Sequence, residues 1–152
     1  SASGLPVTYI ATSQPLDGEM NERVLLHRQR RPDDWGLIEE PLALAAVLRA
    51  EAAEGRCLLV DCLTLWLTNL LMLEDDQRLA EERDALLACL EQLPGTLILV
   101  SNETGLGVVP MGELTRRYVD LAGWLHQAVA ERCQRVVLTV AGLPLMLKGP
   151  AP

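Results

Sequence analysis

Four short apolar runs constrain the fold of this chain more than any other feature of its sequence. Each is rich in Val, Ile or Leu, and each is too continuous for a strand with one exposed face. We therefore expect strands of a parallel sheet that is covered on both faces. The predicted strands are VTYIAT (7–12), CLLVDCL (57–63), TLILVS (96–101) and RVVLTVAG (135–142).

Stretches with a helical pattern separate these runs. The second of them has Pro41 near its start and Gly55 beyond its end, which is typical of a helix. Alternating strands and helices predict an α/β fold with right-handed crossovers. No repeat, linker or low-complexity segment divides the 152 residues, so we expect a single α/β domain over 1–152. The predicted helices cover 18–30, 41–53, 65–73, 78–92 and 113–133.

Charge and cysteine usage narrow the class of protein. A net charge of -8 argues against nucleic acid or a membrane surface as a general partner. No apolar run reaches the roughly 18 residues of a membrane span, so we expect none. The four cysteines form no CxxC pair, and Cys57 and Cys62 lie in an apolar run, which predicts buried free thiols. Free thiols favour a cytoplasmic protein.

Polar residues follow three of the predicted strands. They are Thr12, Ser13 and Gln14 after the first strand, Asp61 within the second, and 101–103 (Ser-Asn-Glu) after the third. Ligands of open parallel sheets bind at the carboxyl ends of the strands, so this edge is the predicted site. The alternative is that strand ends are polar simply because loops begin there.

Two of these residues are carboxylates with a candidate role in metal binding. The run LLVDCLT, which ends its apolar part at Asp61, is typical of the magnesium-binding acidic strand of P-loop NTPases. Asp61 and Glu103 either bind Mg²⁺ through their oxygens or orient and balance another cation. The spacing alone does not decide between these roles.

The segment RVLLHRQRRP (23–32) places four arginines around one histidine. If 18–30 is helical, Arg23, His27 and Arg30 lie on one face of the helix. Guanidinium groups pair with phosphate oxygens, so this face is a candidate receptor for a polyphosphate. A neutral imidazole attacks phosphorus and forms a reactive phosphoramidate, which makes His27 a candidate nucleophile.

The alternative for this segment is a surface helix whose arginines pair with nearby carboxylates. The chain offers four of them: Glu19, Glu22, Asp33 and Asp34.

Two further features give weaker indications. The loop NETGLGVVP (102–110) matches neither G-x-G-x-x-G nor G-x-x-x-x-G-K-[ST], so it predicts a tight turn that brings Glu103 to the site. His126 lies in an amphipathic stretch, GWLHQAVAERC, and is predicted to be a structural or surface histidine.

Taken together, the motifs resemble the bifunctional adenosylcobinamide kinase/adenosylcobinamide-phosphate guanylyltransferase family. The resemblance runs from about Val7 to Lys148. It implies a three-layer P-loop NTPase-like fold with a mostly parallel central sheet. The segments that carry it are YIATSQPLDGEMNERVLLHRQRRPDDW, LLVDCLTLWLTNLL, LVSNETGLGVVP and RRYVDLAGWLHQAVAERCQRVVLTVAGLPLMLK.

This resemblance also implies an activity. Members of the family phosphorylate the aminopropanol hydroxyl of adenosylcobinamide, with GTP and ATP as nucleotide substrates and Mg²⁺ as cofactor. They then transfer GMP from GTP to that phosphate through a GMP-histidine intermediate. Family members are commonly trimeric, so a homo-oligomer is expected.

The family's functional residues fall on matching positions of this sequence. His27 takes the place of the nucleophile. From the pattern of residues rather than from the resemblance, Asp61 is a candidate Mg²⁺ ligand, and Arg23 and Glu103 are candidate supporting residues. The expected nucleotide contacts are Thr12, Ser13, Gln14, Arg28, Gln29, Arg30, Arg31, Glu39 and Asp61.

One departure from the family pattern bears on the kinase activity. Family members open with a strand and a GGxRSGKS Walker A loop, and nothing of this kind occurs in the 152 residues. Either the numbered chain omits an upstream stretch, or the phosphate loop has been lost. The second case makes a non-catalytic nucleotide-binding or regulatory subunit the alternative function. A single-stranded nucleic-acid binder fits neither the -8 charge nor the scarcity of aromatic residues.

Overall fold

A parallel sheet of four strands is the centre of the fold. A computed structural model describes residues 4–14, 32 and 34–150. The strands stand in the order β2-β1-β3-β4, and every neighbouring pair is parallel. The strand bounds are β1 Val7–Ala11, β2 Gly36–Glu39, β3 Cys57–Asp61 and β4 Thr96–Val100. The predicted α/β class and the three predicted strands of this sheet are confirmed.

Four helices among the described residues confirm four of the five predicted helical stretches. The predicted helix over 18–30 lies outside the described residues. Asp75 begins one helix by accepting a hydrogen bond from the Arg78 backbone N–H at 2.9 Å, which satisfies a donor that the helix itself leaves unpaired. The helices are α1 Leu44–Glu51, α2 Leu63–Met72, α3 Asp76–Cys89 and α4 Glu113–Arg132.

One face of the sheet packs against these helices and forms the core. Ile10 and Val60, neighbours in β1 and β3, are 0% exposed. Trp66 of α2 is also fully buried, and its indole N–H donates to the Leu42 carbonyl at 2.8 Å, so burial of the ring leaves no unpaired donor. Each fully buried aliphatic side chain stabilises such a core by about 1.5–3 kcal/mol.

The prediction that every strand is covered on both faces is wrong for β4. Its residues alternate between exposed and half-buried, and Ile98 and Val100 are 47% and 39% exposed. Their register partners in β3 are Leu59 and Asp61, so the exposed residues share a face with Asp61. The run TLILV is apolar throughout, and sequence alone does not reveal that one of its faces lacks a covering element among the described residues.

The fourth predicted strand forms, but the prediction that it joins the parallel sheet is wrong. β5 (Val136–Val140) pairs antiparallel with β6 (Leu143–Lys148) in a separate two-stranded sheet. Ala141 and Gly142 connect them with φ angles of 52° and 78°. Positive φ at both central residues is the geometry of a two-residue hairpin turn, which sends the chain straight back along β5.

Two further sequence predictions are tested by the described residues. All four cysteines are free, and Cys57 and Cys62 are 4% and 8% exposed, as predicted for buried thiols. Among the helices that the structure describes, none is both long enough and apolar enough to span a bilayer.

Candidate active site

The carboxyl edge of the parallel sheet places two predicted site residues in one row. Ala11 of β1 is in register with Glu39 of β2 on one side and with Asp61 of β3 on the other. Residues in register across a parallel sheet share a face, so both carboxylates lie on the same side of the sheet with a small side chain between them. Two strand spacings separate their backbones by about 10 Å. The row therefore has room for a ligand between two acceptors.

Asp61 is oriented by a tyrosine of the neighbouring strand. The hydroxyl of Tyr9 donates to Oδ2 of Asp61 at 2.6 Å. Tyr9 is two residues before Ala11, the register partner of Asp61, so both side chains lie on the same face and meet on a diagonal. This contact occupies one carboxylate oxygen and fixes the direction of the other.

Thr12 joins the ends of β1 and β3 and is 0% exposed. Its hydroxyl donates to the Cys62 carbonyl at 2.7 Å and accepts from the Cys62 N–H at 2.9 Å. Its own carbonyl accepts from Asn69 of α2 at 2.7 Å. The Thr12 side chain is therefore hydrogen-bonded inside the fold, where it links the end of β1 to the end of β3. Its part in nucleotide binding stays a prediction, as does that of Ser13 and Gln14, which follow it and are half-buried.

A second polar cluster lies at the carboxyl end of β4. Oγ of Ser101 is 2.7 Å from Nε2 of His126, which comes from α4. Nδ1 of the same ring is 3.8 Å from Oε2 of Glu103. Thr64, in the first turn of α2, lies 3.5 Å from Ser101 through its hydroxyl and accepts the Asn102 N–H at 2.8 Å.

Sequence analysis placed Ser101 and Glu103 at this edge but missed their link to His126. His126 was predicted to be a structural or surface histidine, yet its partners, Ser101 and Glu103, are residues of the predicted site. They lie more than 20 positions away in the chain, and no local pattern signals such a pairing. On the same helix, burial raises the pKa of the Tyr118 phenol, and the Thr64 side chain partly opposes that rise.

Six of the predicted site residues lie outside the described residues, so their predicted roles are not tested by the geometry. They are Arg23, His27, Arg28, Gln29, Arg30 and Arg31.

A magnesium site is compatible with Asp61, although the side chains that the structure describes do not assemble one by themselves. Among residues 4–14, 32 and 34–150, no three His, Cys, Asp or Glu side chains group closely enough to hold a metal. Mg²⁺ in phosphoryl-transfer sites is usually bound by one or two carboxylates together with substrate phosphates. Asp61, with one oxygen held by Tyr9, fits that pattern. Glu103 fits it less well, because its Oε1 accepts from the Gly105 N–H at 2.6 Å and its Oε2 faces His126.

Comparison with known proteins points to one family. The family model described as cobinamide kinase/cobinamide phosphate guanyltransferase matches residues 1–147. The bifunctional adenosylcobalamin biosynthesis protein CobP of Pseudomonas aeruginosa is 72% identical over 147 residues, covering 97% of this chain and 85% of that protein. The bifunctional adenosylcobalamin biosynthesis proteins CobU of Escherichia coli and Salmonella typhimurium are each 34% identical over 155 residues, covering 93% of this chain and 86% of theirs.

Proposed function

Because the chain belongs to the cobinamide kinase/cobinamide phosphate guanyltransferase family, we propose that the full-length protein carries out both reactions of that name in cobalamin biosynthesis. It phosphorylates the aminopropanol hydroxyl of adenosylcobinamide and then transfers GMP from GTP to that phosphate, which gives adenosylcobinamide-GDP. The structural observation that best supports this proposal is the row of Glu39, Ala11 and Asp61 at the carboxyl edge of a parallel sheet, where such folds bind nucleotides.

His27 is the proposed nucleophile of guanylyl transfer. Its neutral imidazole attacks the α-phosphorus of GTP, the bond to pyrophosphate breaks, and a GMP-histidine remains. The acceptor phosphate then attacks this phosphoramidate and frees the ring. The four surrounding arginines stabilise the negative charge that develops on the phosphate oxygens, which is the largest electrostatic contribution in transfers of this type. They are Arg23, Arg28, Arg30 and Arg31.

The two carboxylates of the row have separate proposed tasks. Asp61 is the residue that would hold Mg²⁺, which when bound neutralises phosphate charge. Tyr9 keeps the Asp61 carboxylate in a fixed orientation for that purpose. Glu39 contacts the nucleotide, together with the residues after β1 (Ser13 and Gln14) and Gln29.

Covalent labelling tests the nucleophile. The full-length protein, incubated with Mg²⁺ and α-labelled GTP, should acquire covalent label, whereas γ-labelled GTP should leave none because pyrophosphate departs. The label should be lost in acid and survive base, since protonation makes imidazole a good leaving group. His27→Asn should abolish labelling and leave phosphorylation of the alcohol intact, because that step needs positioning rather than this imidazole. Uptake of GMP by His27→Asn would show that another residue is the nucleophile.

The same labelling experiment distinguishes the enzyme from the alternative function. A non-catalytic nucleotide-binding or regulatory subunit would bind GTP reversibly and take up no label under any condition. Retention of α-label after denaturation therefore favours the enzyme, and GTP that dissociates completely favours the regulatory subunit.

We also propose a homo-oligomer, a trimer by family resemblance, that works in the cytoplasm. Large apolar side chains after β4 are highly exposed, which is typical of a surface covered by a partner. Free cysteines suit a reducing compartment. Light scattering should give three times the subunit mass, and a monomer at working concentration would contradict the trimer. The exposed residues are Leu106, Val108, Val109 and Met111, at 81%, 95%, 73% and 96% exposure.

A further inference from the structure

The polar cluster at the carboxyl end of β4 has no task in the guanylyl transfer described above. We name it the β4-end cluster, and it consists of Ser101, Glu103, Thr64 and His126. Its strongest contact joins Oγ of Ser101 to Nε2 of His126 at 2.7 Å. The other ring nitrogen, Nδ1, approaches Oε2 of Glu103 at 3.8 Å, which is longer than a hydrogen bond but within ion-pair distance.

Backbone contacts hold the same segment in place. The Asn102 N–H donates to Oγ1 of Thr64 at 2.8 Å, and the Gly105 N–H donates to Oε1 of Glu103 at 2.6 Å. Residues 102–109 are otherwise exposed, so these bonds and the histidine fix the start of a surface loop. The Glu103 carboxylate thus has one oxygen tied to its own loop and one directed toward His126.

One tautomer of the ring satisfies both partners. When the Ser101 hydroxyl donates to Nε2, the ring proton resides on Nδ1 and faces the carboxylate of Glu103. His126 then accepts a hydrogen bond from Ser101 at Nε2 and directs its Nδ1–H toward Glu103. This arrangement places Oε2 of Glu103 near a partly positive N–H.

The order serine, histidine and carboxylate is also that of a hydrolase triad, but the surroundings do not favour acyl transfer. A triad needs backbone N–H donors beside the serine for the developing oxyanion. Of the described amides next to this cluster, Asn102 N–H is already bonded to Thr64 and Gly105 N–H to Glu103. The cluster therefore has no oxyanion donors among these amides.

The chemistry of the proposed function identifies a step that needs such a carboxylate. In guanylyl transfer, the two attacking atoms, an imidazole nitrogen and a phosphate oxygen, each have a free lone pair and carry no proton themselves. The alcohol does carry a proton, which must leave as its oxygen bonds to phosphorus. Phosphoryl-transfer enzymes commonly use a carboxylate to accept it.

We propose that Glu103 accepts the proton of the acceptor alcohol in the phosphorylation step, and that His126 is the positioning residue that orients Glu103 through the link to Ser101. The alcohol oxygen bonds to the γ-phosphorus, the bond to the nucleoside diphosphate breaks, and the alcohol proton passes to the carboxylate. Glu103 is 38% exposed in its side chain, so it returns the proton to solvent. This inference rests on the proposed function.

Glu103→Gln tests the proton acceptor, because the amide keeps the shape of the side chain and cannot take a proton. In the full-length protein, kcat for phosphorylation of adenosylcobinamide should fall by about 100-fold, the lower end of general-base contributions. Guanylyl transfer to independently supplied adenosylcobinamide phosphate should keep its rate. Glu54→Gln removes the same charge from an exposed residue before β3 and serves as the matched control, with both activities unchanged.

Two variants of His126 test positioning. His126→Leu fills the site without a hydrogen bond and should lower kcat for phosphorylation by about five-fold, with little change in KM for the alcohol. His126→Gln places an amide near the position of Nε2, restores the contact with Ser101, and should recover most of that loss. A purely structural role would lower both activities together, and Gln would then bring no selective recovery.

The outcomes separate this inference from the function on which it rests. A wild-type protein that phosphorylates no alcohol contradicts the proposed function and the inference with it. A wild-type protein that phosphorylates the alcohol, with Glu103→Gln equally active, contradicts the inference alone. Equal losses of both activities in Glu103→Gln also overturn it.

Discussion

Thr12 and Ser101 are hydroxyl residues that follow strands of the same sheet at the same edge, yet their surroundings differ. Thr12, after β1, is fully buried, and its hydroxyl bonds the backbone N–H and C=O of Cys62. Ser101, after β4, is half-buried, and its hydroxyl contacts the side chains of His126 and Thr64. The first residue connects backbone to backbone and supports the fold. The second connects partly exposed side chains at the edge of the sheet.

The largest expected effect concerns the phosphate loop rather than either hydroxyl. A protein limited to these 152 residues contains no G-x-x-x-x-G-K-[ST] motif to hold β- and γ-phosphates. It should therefore not phosphorylate adenosylcobinamide, and an upstream Walker A segment should restore the activity. The measurement is phosphate transfer from labelled nucleotide. Robust phosphorylation by the 152 residues alone would show that another part of the chain binds the triphosphate.

The next largest effect is expected at Asp61, the last residue of β3, which is the strand that Thr12 links to β1. Asp61→Asn keeps the shape of the side chain and the acceptor for Tyr9 but removes the charge. Guanylyl transfer should fall by about 100-fold or more, as on loss of one preorganised electrostatic group, while thermal unfolding stays near wild type. Asp84→Asn, an exposed carboxylate in α3, is the matched control. A near-normal rate of guanylyl transfer for Asp61→Asn would show that Asp61 has only a structural role.

A comparison of Thr12→Val with Ser101→Ala tests the contrast between the hydroxyls directly. Thr12→Val leaves the buried N–H of Cys62 without its partner, while the Cys62 carbonyl keeps the hydrogen bond from the Trp66 N–H, and should lower the free energy of unfolding by about 1–3 kcal/mol. Ser101→Ala should cost less than about 1 kcal/mol, because water reaches the half-exposed His126. Denaturant unfolding measures both. Equal losses of stability would mean that the two hydroxyls serve the fold alike.

The smallest effect on guanylyl transfer in this series is expected for Tyr9→Phe. The ring stays in place, but Oδ2 of Asp61 loses the hydrogen bond that orients it. Guanylyl transfer should fall by about ten-fold, since a hydrogen bond to a charged group contributes roughly 1.5 kcal/mol. Combining Tyr9→Phe with Asp61→Asn should cost little beyond Asp61→Asn alone. Fully additive losses would show that Tyr9 acts independently of Asp61.

The elements that sequence predicted best are those whose composition reflects their burial. The runs at 7–12 and 57–63 are continuously apolar because β1 and β3 are central strands, and they were predicted within two residues. The strand β2 was missed, since GLIE is a short, half-exposed edge strand. β6 was missed because LPLMLK contains Pro and Leu rather than β-branched residues, and because a tight turn determines its pairing. The single domain over 1–152 remains a prediction.

Only part of the site was predicted from the strand pattern, namely the residues whose positions follow from the predicted strands. Asp61 and the residues after β1 follow from strand order, since carboxyl ends of parallel strands meet at one edge. Glu39 was predicted from resemblance alone, because its strand β2 was missed. The pairing of His126 with Ser101 depends on how α4 packs against β4, and helix packing leaves no local signature. The arginine segment with His27 was predicted from charge and resemblance alone.

The central claim of this account, that His27 carries GMP, is tested most directly by peptide mass mapping. The full-length protein is incubated with Mg²⁺ and GTP without acceptor, denatured at alkaline pH and digested. The peptide that contains His27 should gain the mass of one GMP and lose it on mild acid treatment. The peptide that contains His126 should stay unmodified and serves as the internal control. Unmodified peptides from protein that had bound GTP, or GMP on a residue other than His27, would contradict the assignment.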